Sequence, residues 1–214
     1  MFTSIPPKVI RKPQGKKNVI YPNAKLGFLK PMFQGAMIPK GIYLHYTAGD
    51  SAKSSITFLV KKQLGYHLMI DRDGSVTQMY DLVSTVYYAG SAVWNDLSPN
   101  RFFISIAICS YGLLTPMEKD KDSFENVYGQ QVDSAIYRRG NYWEPATHEQ
   151  EDELIRLCTW LCKEFSISPD NICGHDECCV PKGRKIDPGG VLGFSMENFR
   201  GMISSFLSDE KLSI

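Results

Sequence analysis

Two histidines and one aspartate are placed where they could bind a metal ion. His45 ends a predicted strand, His175 follows another, and Asp187 comes twelve residues after His175. Two imidazoles and one carboxylate suit a catalytic zinc site, which keeps a fourth position open for water. Zinc in such a site lowers the pKa of its water to about 7 and polarises a carbonyl group. Taken singly, each histidine fits a packed or capping role better, so only the group indicates a metal site.

The cysteines leave a second metal site open. We expect the six to be mostly reduced thiols, with Cys158 and Cys162 facing the core of a helix. Cys178 and Cys179 could compete as zinc ligands, because thiolates bind zinc well. The alternative is a structural site formed by Cys173, His175, Cys178 and Cys179. It would leave His45 without a role. The other histidines are predicted to be structural (His67) and on the surface (His148).

Strand and helix patterns alternate along the chain, which predicts an α/β or α+β domain with one mixed sheet flanked by helices. Asp50 is expected to cap the first helix, and Thr147 forms a capping box with Gln150 at the start of the longest. Strands are predicted at 41–47, 84–90, 103–109 and 171–174, a hairpin at 67–79, and helices at 51–64, from 147 and at 195–208.

Composition indicates one globular domain with an extension. The chain has 214 residues, of which 43% are hydrophobic and 22% charged, so wholesale disorder is excluded. The net charge of +1 argues against a strong attraction of the whole protein to nucleic acid. Eight Lys or Arg residues precede the first acidic residue, Asp50, and the remainder has 16 basic and 23 acidic residues, a net charge of −7.

This asymmetry predicts a basic extended arm over residues 1–37 and a catalytic domain over 38–214. The arm could meet an anionic envelope surface or be a solvated tail. Residues 113–146 are predicted to be a flap or an insertion with structure of its own. No signal peptide or membrane span is recognisable, so we expect synthesis in a cytoplasm.

Six motifs occur in an order that resembles the zinc-dependent N-acetylmuramoyl-L-alanine amidases. The resemblance covers roughly residues 38–200, and the family includes phage lysozymes of the amidase type, muropeptide-recycling enzymes and peptidoglycan recognition proteins. The motifs are H-Y-T-A-G at 45–49, G-Y-H-L-M-I-D-R-D-G at 65–74, Y-A-G at 88–90, S-I-A-I-C at 105–109, G-H at 174–175 and G-R-K-I-D-P-G at 183–189.

The resemblance implies a role for each matching residue. His45, His175 and Asp187 match the zinc ligands. Tyr66 matches a tyrosine beside the water of the site, and Lys185 matches a lysine that faces the scissile carbonyl. These two residues are therefore the expected catalytic side chains.

Four further residues are expected to contact substrate: Thr47, Tyr88, Trp94 and Cys109. Cys109 stands where some branches of the family have a glutamate base, which places this chain nearer the phage lysozymes. Tyr88 stands where many members have histidine. Aromatic residues of the insertion, Tyr128 among them, could stack on sugar rings or form a local core.

These features predict a zinc amidase that cuts between N-acetylmuramic acid and L-alanine of peptidoglycan. The expected setting is a monomeric phage endolysin, made in the host cytoplasm and acting on the wall after release. Two alternatives remain open: a peptidoglycan-binding module that does not cut, and a cytoplasmic muropeptide-recycling amidase or antibacterial effector.

Overall fold

A mixed six-stranded sheet forms the centre of the protein. The structure is a computed structural model that describes residues 18–27, 35–117 and 123–209. The strands of the sheet are β1 (Ala24–Leu26), β2 (Gly41–Tyr46), β3 (Leu68–Ile70), β4 (Val76–Gln78), β5 (Phe103–Ile108) and, much later in the chain, β11 (Ile172–Gly174). Their order is β1-β4-β3-β5-β2-β11, and only the β3–β4 hairpin is antiparallel. The predicted mixed sheet is confirmed.

Helices cover both faces of this sheet, as predicted. The helices are α1 (Ala52–Lys62), α2 (Pro99–Phe102), α3 (His148–Phe165), α4 (His175–Cys178) and α5 (Met196–Asp209), with 3-10 turns at Pro169–Asn171 and Gly189–Val191. Helices α3 and α5 pack on one face through residues such as Leu157 and Phe199. Helix α1 packs on the other through Ala52 and Leu59. Apolar residues that alternate along each strand therefore serve two separate cores.

Two local predictions at α1 are wrong. The N-cap is Ser51, whose hydroxyl accepts from the Ser54 amide, because Asp50 lies one residue too early in the chain. Asp50 instead accepts hydrogen bonds from the Ser51 and Ser54 hydroxyls. The helical spacing of the apolar residues Ala52, Ile56, Leu59, Val60 and Leu64 predicts one buried stripe, but Val60 and Leu64 are exposed.

The strand predicted at 84–90 is also absent. Ser84 forms only an isolated bridge with Ala36. The amides of Tyr88 and Ala89 donate to the side chain of Asn100 rather than to a neighbouring strand. These amides donate to the Asn side chain, and so they do not form the backbone hydrogen bonds of a β-strand.

The long polar segment at 113–146 folds as a second sheet. Its strands are β6 (Leu113–Pro116), β7 (Phe124–Asn126), β8 (Gln131–Val132), β9 (Ile136–Arg138) and β10 (Asn141–Trp143). All pairs are antiparallel, in the order β8-β7-β6-β10-β9. Among its described residues, its own core is formed by the buried side chains of Leu114, Phe124 and Val132. We call this unit the inserted sheet.

Part of the predicted arm belongs to the central sheet. Strand β1 pairs in parallel with β4, and the buried Tyr21 donates its hydroxyl to Glu153 of α3 at 2.7 Å. The rest of the arm, residues 1–17 and 28–34, lies outside the described residues.

The remaining histidines and the cysteines lie where the sequence predicted. His67 is buried and held by Ser105, with its Nε2 at 2.8 Å from the Ser84 carbonyl oxygen, whereas His148 is exposed. All six cysteines are buried and free, and Cys158 and Cys162 face the α3 core. Across the described parts of the chain, no helix is both long and apolar enough to cross a membrane.

Candidate metal centre and groove

The register of two parallel strands brings the metal-ligating histidines together. Strand β11 pairs with β2 so that Gly174 lies opposite Leu44, and His175 therefore begins α4 beside His45. Asp187 reaches the same point from the loop that follows α4. Its Oδ2 lies 2.8 Å from Nδ1 of His45 and 3.1 Å from Nδ1 of His175. These three buried residues are the predicted ligand set.

The hydrogen bonds of His175 show that the cluster suits a cation. Its Nε2 donates to the Ala89 carbonyl at 3.1 Å, which leaves Nδ1 as an acceptor in the neutral ring. Nδ1 faces Oδ2 of Asp187, which is also an acceptor. A cation between the two atoms resolves this conflict, and a second nitrogen held by a backbone carbonyl is typical of metal-binding histidines. In the described residues this is the one group of His, Cys, Asp or Glu with metal-ligand spacing; its ligand atoms lie within 4.8 Å of one another.

Burial sets the protonation of the cluster. It lowers the pKa of His45 to about 4, against an opposing effect of Asp187, so the ring is neutral at pH 7. Burial alone would raise the pKa of Asp187, but the close contacts of its carboxylate with the rings of His175 and His45 outweigh burial and hold that pKa below its ordinary range. Lone pairs on neutral imidazole and an ionised carboxylate are the forms that bind metals.

The cluster forms the floor of a groove of about 880 Å³. The loop after β2, helix α1, Tyr88 and the segment around Lys185 line this groove. Residues Val127, Tyr128 and Gln130 of the inserted sheet line it as well. A concave site with a few polar groups at its floor is typical of a ligand site.

Both predicted catalytic side chains line this groove. The ring of Tyr66 lies 4.8 Å from the ring of His45, measured between centroids. Burial, followed by the charge of Asp187, raises the pKa of Tyr66, so its hydroxyl stays protonated and can donate. Lys185 is exposed in the groove lining and pairs with no carboxylate in the part of the chain that the structure describes.

Two of the four predicted substrate contacts lie at the groove. Thr47 lines it, but its hydroxyl accepts from the Gly49 amide at 3.1 Å and shapes the loop after β2. Tyr88 presents only its ring, since its hydroxyl lies 2.7 Å from the Pro99 carbonyl, inside the core.

The structure places the other two predicted contacts, Trp94 and Cys109, outside the groove lining. Trp94 lies outside the groove lining, where its Nε1 donates to the Asp170 carbonyl and its face meets the Arg200 guanidinium. Cys109 is fully buried in the core on the α1 side, and burial raises the pKa of its thiol. Cys109 is therefore closed to a molecule in the groove, whereas Trp94 is half-buried beside Asp170 and Arg200.

The alternative site with Cys173, Cys178 and Cys179 does not form around His175. Cys178 turns its sulfur toward Cys173 Sγ, at 3.0 Å, and toward the Gly174 carbonyl. His175 directs Nδ1 toward Asp187 instead.

Sequence reasoning missed two contributors to the site. Arg184 donates to the carbonyls of Ala89 and Ser91, and so holds the backbone oxygen that orients His175. The sequence could have indicated Arg184 as a site residue, because it directly precedes Lys185. Phe58 lines the groove from α1. The sequence could have indicated it, because Phe58 is an aromatic residue that lies outside the buried face of the helix.

Comparison with known proteins identifies a family and similar folds. A family profile described as N-acetylmuramoyl-L-alanine amidase matches residues 35–190. No curated protein matches the chain. Similar solved structures include the amidase AmiD from E. coli, in complex with the substrate anhydro-N-acetylmuramic acid-L-Ala-D-gamma-Glu-L-Lys, with 21% identity, a TM-score of 0.57 and 78% of this chain covered. This chain spans only 58% of that AmiD chain.

Two further structures are covered almost completely. The endolysin amidase LysCS from Clostridium intestinale is 16% identical with a TM-score of 0.54, covering 84% of this chain and 95% of its own. The catalytic domain of XlyA is 19% identical with a TM-score of 0.55, covering 85% and 99%. At these identities the likeness establishes the fold. Because the profile spans well over half of the sequence, this chain belongs to the N-acetylmuramoyl-L-alanine amidase family of enzymes.

Proposed function

We propose that this protein hydrolyses the amide bond between N-acetylmuramic acid and the L-alanine of the peptidoglycan stem peptide. One observation carries the proposal: His45, His175 and Asp187 converge at the floor of an open groove in a chain of the amidase family. Two imidazoles and one carboxylate favour zinc over harder ions such as Mg²⁺. When bound there, zinc supplies Lewis-acid chemistry that activates water and polarises a carbonyl.

The side chains of the groove supply the rest of the chemistry. Amide hydrolysis develops negative charge on the carbonyl oxygen, and the Lys185 ammonium is the cation of the groove wall that can stabilise it. Tyr66 donates a hydrogen bond from a hydroxyl that stays protonated, which orients the attacking water or the substrate. Arg184 keeps the Ala89 carbonyl on His175 and so keeps Nδ1 directed into the site.

No glutamate assists from the end of β5, because the residue that follows this strand is the buried Cys109. Besides Asp187, the carboxylate in the described groove lining is Asp50, which the Ser51 and Ser54 hydroxyls engage. Proton transfer to the leaving amine is therefore assigned to Tyr66 and to water rather than to a second carboxylate.

The proposed setting is a monomeric phage endolysin, made in the host cytoplasm and acting on the wall after release. The basic residues that precede Asp50 would contact an anionic envelope surface. Deleting residues 1–17 leaves Tyr21 and β1 in place and tests this contact cleanly. Lysis of permeabilised cells should weaken and lose part of its salt dependence; unchanged lysis and salt response would remove the arm from the proposal.

Metal content and substrate choice test the proposed activity. We expect about one zinc per chain, loss of activity after chelation, and recovery on zinc addition. Cleavage rates on intact sacculi and on small anhydro-muropeptides distinguish an endolysin from a recycling enzyme. A clear preference for sacculi supports an endolysin, whereas a preference for the small substrate indicates a recycling enzyme. Metal binding with no cleavage of either substrate would indicate a binding module and contradict the proposal.

A further inference from the structure

The ligands His45 and His175 differ in how their backbone is supported. His45 lies in β2, which pairs with a strand on each side, β5 and β11. His175 follows β11, the edge strand of the central sheet, and begins α4, a helix of only four residues. So short a helix is not stable by itself. The place of His175 therefore depends on contacts from other parts of the chain.

Glu177 and Arg200 hold the turn from β11 into α4. Oε2 of Glu177 accepts a hydrogen bond at 3.0 Å from the amide of Gly174, the residue directly before His175. Arg200 of α5 donates to both carboxylate oxygens of Glu177, at 3.0 and 3.1 Å. Its Nη1 also donates to the Ile172 carbonyl of β11 at 2.8 Å. One rigid guanidinium therefore joins the strand before His175 to the helix that His175 begins.

The Trp94 indole packs on this ion pair. Its ring centroid lies 5.6 Å from Cζ of Arg200, and its Nε1 donates to the Asp170 carbonyl at 3.0 Å. The side chains of Arg200 and Glu177 are only 19% and 25% exposed, and partial exclusion of water strengthens their attraction. Neither residue lines the groove. The pair can therefore act on the site only through the backbone that it holds.

We propose that Glu177 and Arg200 are positioning residues of the metal centre, which hold the backbone of His175 so that its Nδ1 faces the other two ligands before the ion binds. This inference rests on the proposed metal site. Arg184 acts on the ring of His175 through the Ala89 carbonyl, whereas Arg200 acts on its backbone through Glu177. Ligands that are already in place lose less conformational freedom on binding, which raises affinity.

The zinc affinity of the full chain, measured by competition with a chelator, tests this role. Arg200→Met keeps an apolar stem but removes the guanidinium, and it should weaken zinc binding by about tenfold. Glu177→Gln keeps an oxygen that can accept from the Gly174 amide but loses the charge, and it should weaken zinc binding less. Because both residues act through one contact, the double variant should bind zinc at most about twofold more weakly than Arg200→Met alone.

Two further measurements separate positioning from general stability. At saturating zinc, Arg200→Met should lower kcat on a soluble muropeptide and leave KM nearly unchanged, because Arg200 does not line the groove. Arg200→Lys keeps the charge without the bidentate geometry, and it should recover part of the zinc affinity.

The ion pair of Arg72 and Glu144 provides a matched control. Its side chains are exposed to a similar degree, 30% and 16%, and it joins the segment after β3 to the segment after β10. Arg72→Met removes a guanidinium from this second pair, which does not touch β11 or α4 through the hydrogen bonds of its side chains in the described residues. It should leave the zinc affinity within about twofold of that of the unaltered protein.

Weaker zinc binding in Arg200→Met, with unchanged binding in Arg72→Met, establishes the positioning role. If a folded Arg200→Met protein binds zinc as the unaltered protein does, or if both variants lose affinity equally, the role is overturned and the proposed amidase stands. Should Arg200→Met not fold, Arg200→Lys and Glu177→Gln give the same comparison. If the unaltered protein binds no zinc, the proposed metal site fails and this inference fails with it.

Discussion

The central sheet and the inserted sheet solve the problem of holding functional side chains in different ways. The central sheet is covered on both faces, and its longest strands, β2 and β5, are almost wholly buried. The inserted sheet has strands of two to four residues, and its core has three buried apolar side chains in the part that the structure describes. Because so small a core contributes little to the free energy of unfolding, the inserted sheet must depend on its contacts with the rest of the protein.

Trp143 is the main such contact. This buried residue of β10 packs against Gly189 and Gly190, which follow the ligand Asp187 closely in the chain. A Cβ added at either glycine would lie 2.4 Å from an atom of the indole, so only glycine allows the approach. The ring of Tyr46, next to His45, also contacts the indole in a T-shaped arrangement, at 6.3 Å between centroids. The inserted sheet therefore packs behind the loop that carries Asp187 and behind the end of β2, which carries His45.

The largest expected effect belongs to the central sheet. His175→Ala removes a ligand held between β11 and α4, and we expect kcat/KM to fall by roughly a thousandfold or more, because several kcal/mol of transition-state stabilisation depend on the ion. His148→Ala is the matched control, since that histidine is exposed at the start of α3. Comparable activity in the two variants would place the chemistry elsewhere.

Trp143→Ala tests whether the inserted sheet supports the metal centre. Loss of a buried indole should lower the free energy of unfolding by about 3–5 kcal/mol, measured by urea denaturation. Zinc affinity, measured by competition with a chelator, should fall as well, because Asp187 loses the support behind its loop. Trp143→Phe should recover part of both. An unchanged zinc affinity in a folded Trp143→Ala protein would show that the two sheets are independent.

His67 makes stability depend on pH through the central sheet. Burial lowers the pKa of His67 to about 4, below the ordinary value near 6.5. Between those values the unfolded chain binds a proton that the folded chain does not, so stability rises with pH across this window, by about 3 kcal/mol for this group. His45 acts in the same direction in the metal-free protein.

His67→Gln isolates the contribution of that residue. Urea denaturation of the metal-free proteins at pH 4.5 and 7 should show a smaller pH dependence for the variant. An equal dependence in both proteins would assign the effect to other groups. The variant is also expected to lose stability at every pH, since Ser105 and the Ser84 carbonyl lose a partner.

The smallest expected effect lies at the junction of the two sheets. Arg72 donates to both carboxylate oxygens of Glu144, at 2.8 and 2.9 Å, and both side chains are partly exposed. A double-mutant cycle with Arg72→Ala and Glu144→Gln should give a coupling energy of about 1 kcal/mol or less, weaker at high salt. A coupling of several kcal/mol would show that this ion pair, rather than Trp143, holds the inserted sheet.

Most of the central sheet was predictable because short sequence patterns specify its strands and turns. Alternating residues in β2 and β5, the Asp73-Gly74 turn and the Thr147 capping box each specify their own element. Parallel strands that end together then bring His45 and His175 into contact. Departures from the sequence patterns have tertiary causes: the Asn100 side chain accepts from amides of the segment at 84–90, and the Trp94 indole donates to the Asp170 carbonyl.

The inserted sheet was not predictable in detail. Strands of two or three residues give no measurable alternation, and the docking of Trp143 depends on glycines far away in the chain. Tyr128 could be named as a groove aromatic only alongside others of the insertion. The structure separates it from Tyr137, which does not line the groove.

Cleavage of intact sacculi is the most direct test of the central claim. The products of the purified zinc-loaded protein are identified by mass spectrometry, beside samples with a chelator and with His45→Ala. The account predicts free stem peptides that begin with L-alanine, and their loss in both comparison samples. Release of sugar fragments or of peptides cut internally, or stem peptides that still appear with His45→Ala, would contradict it.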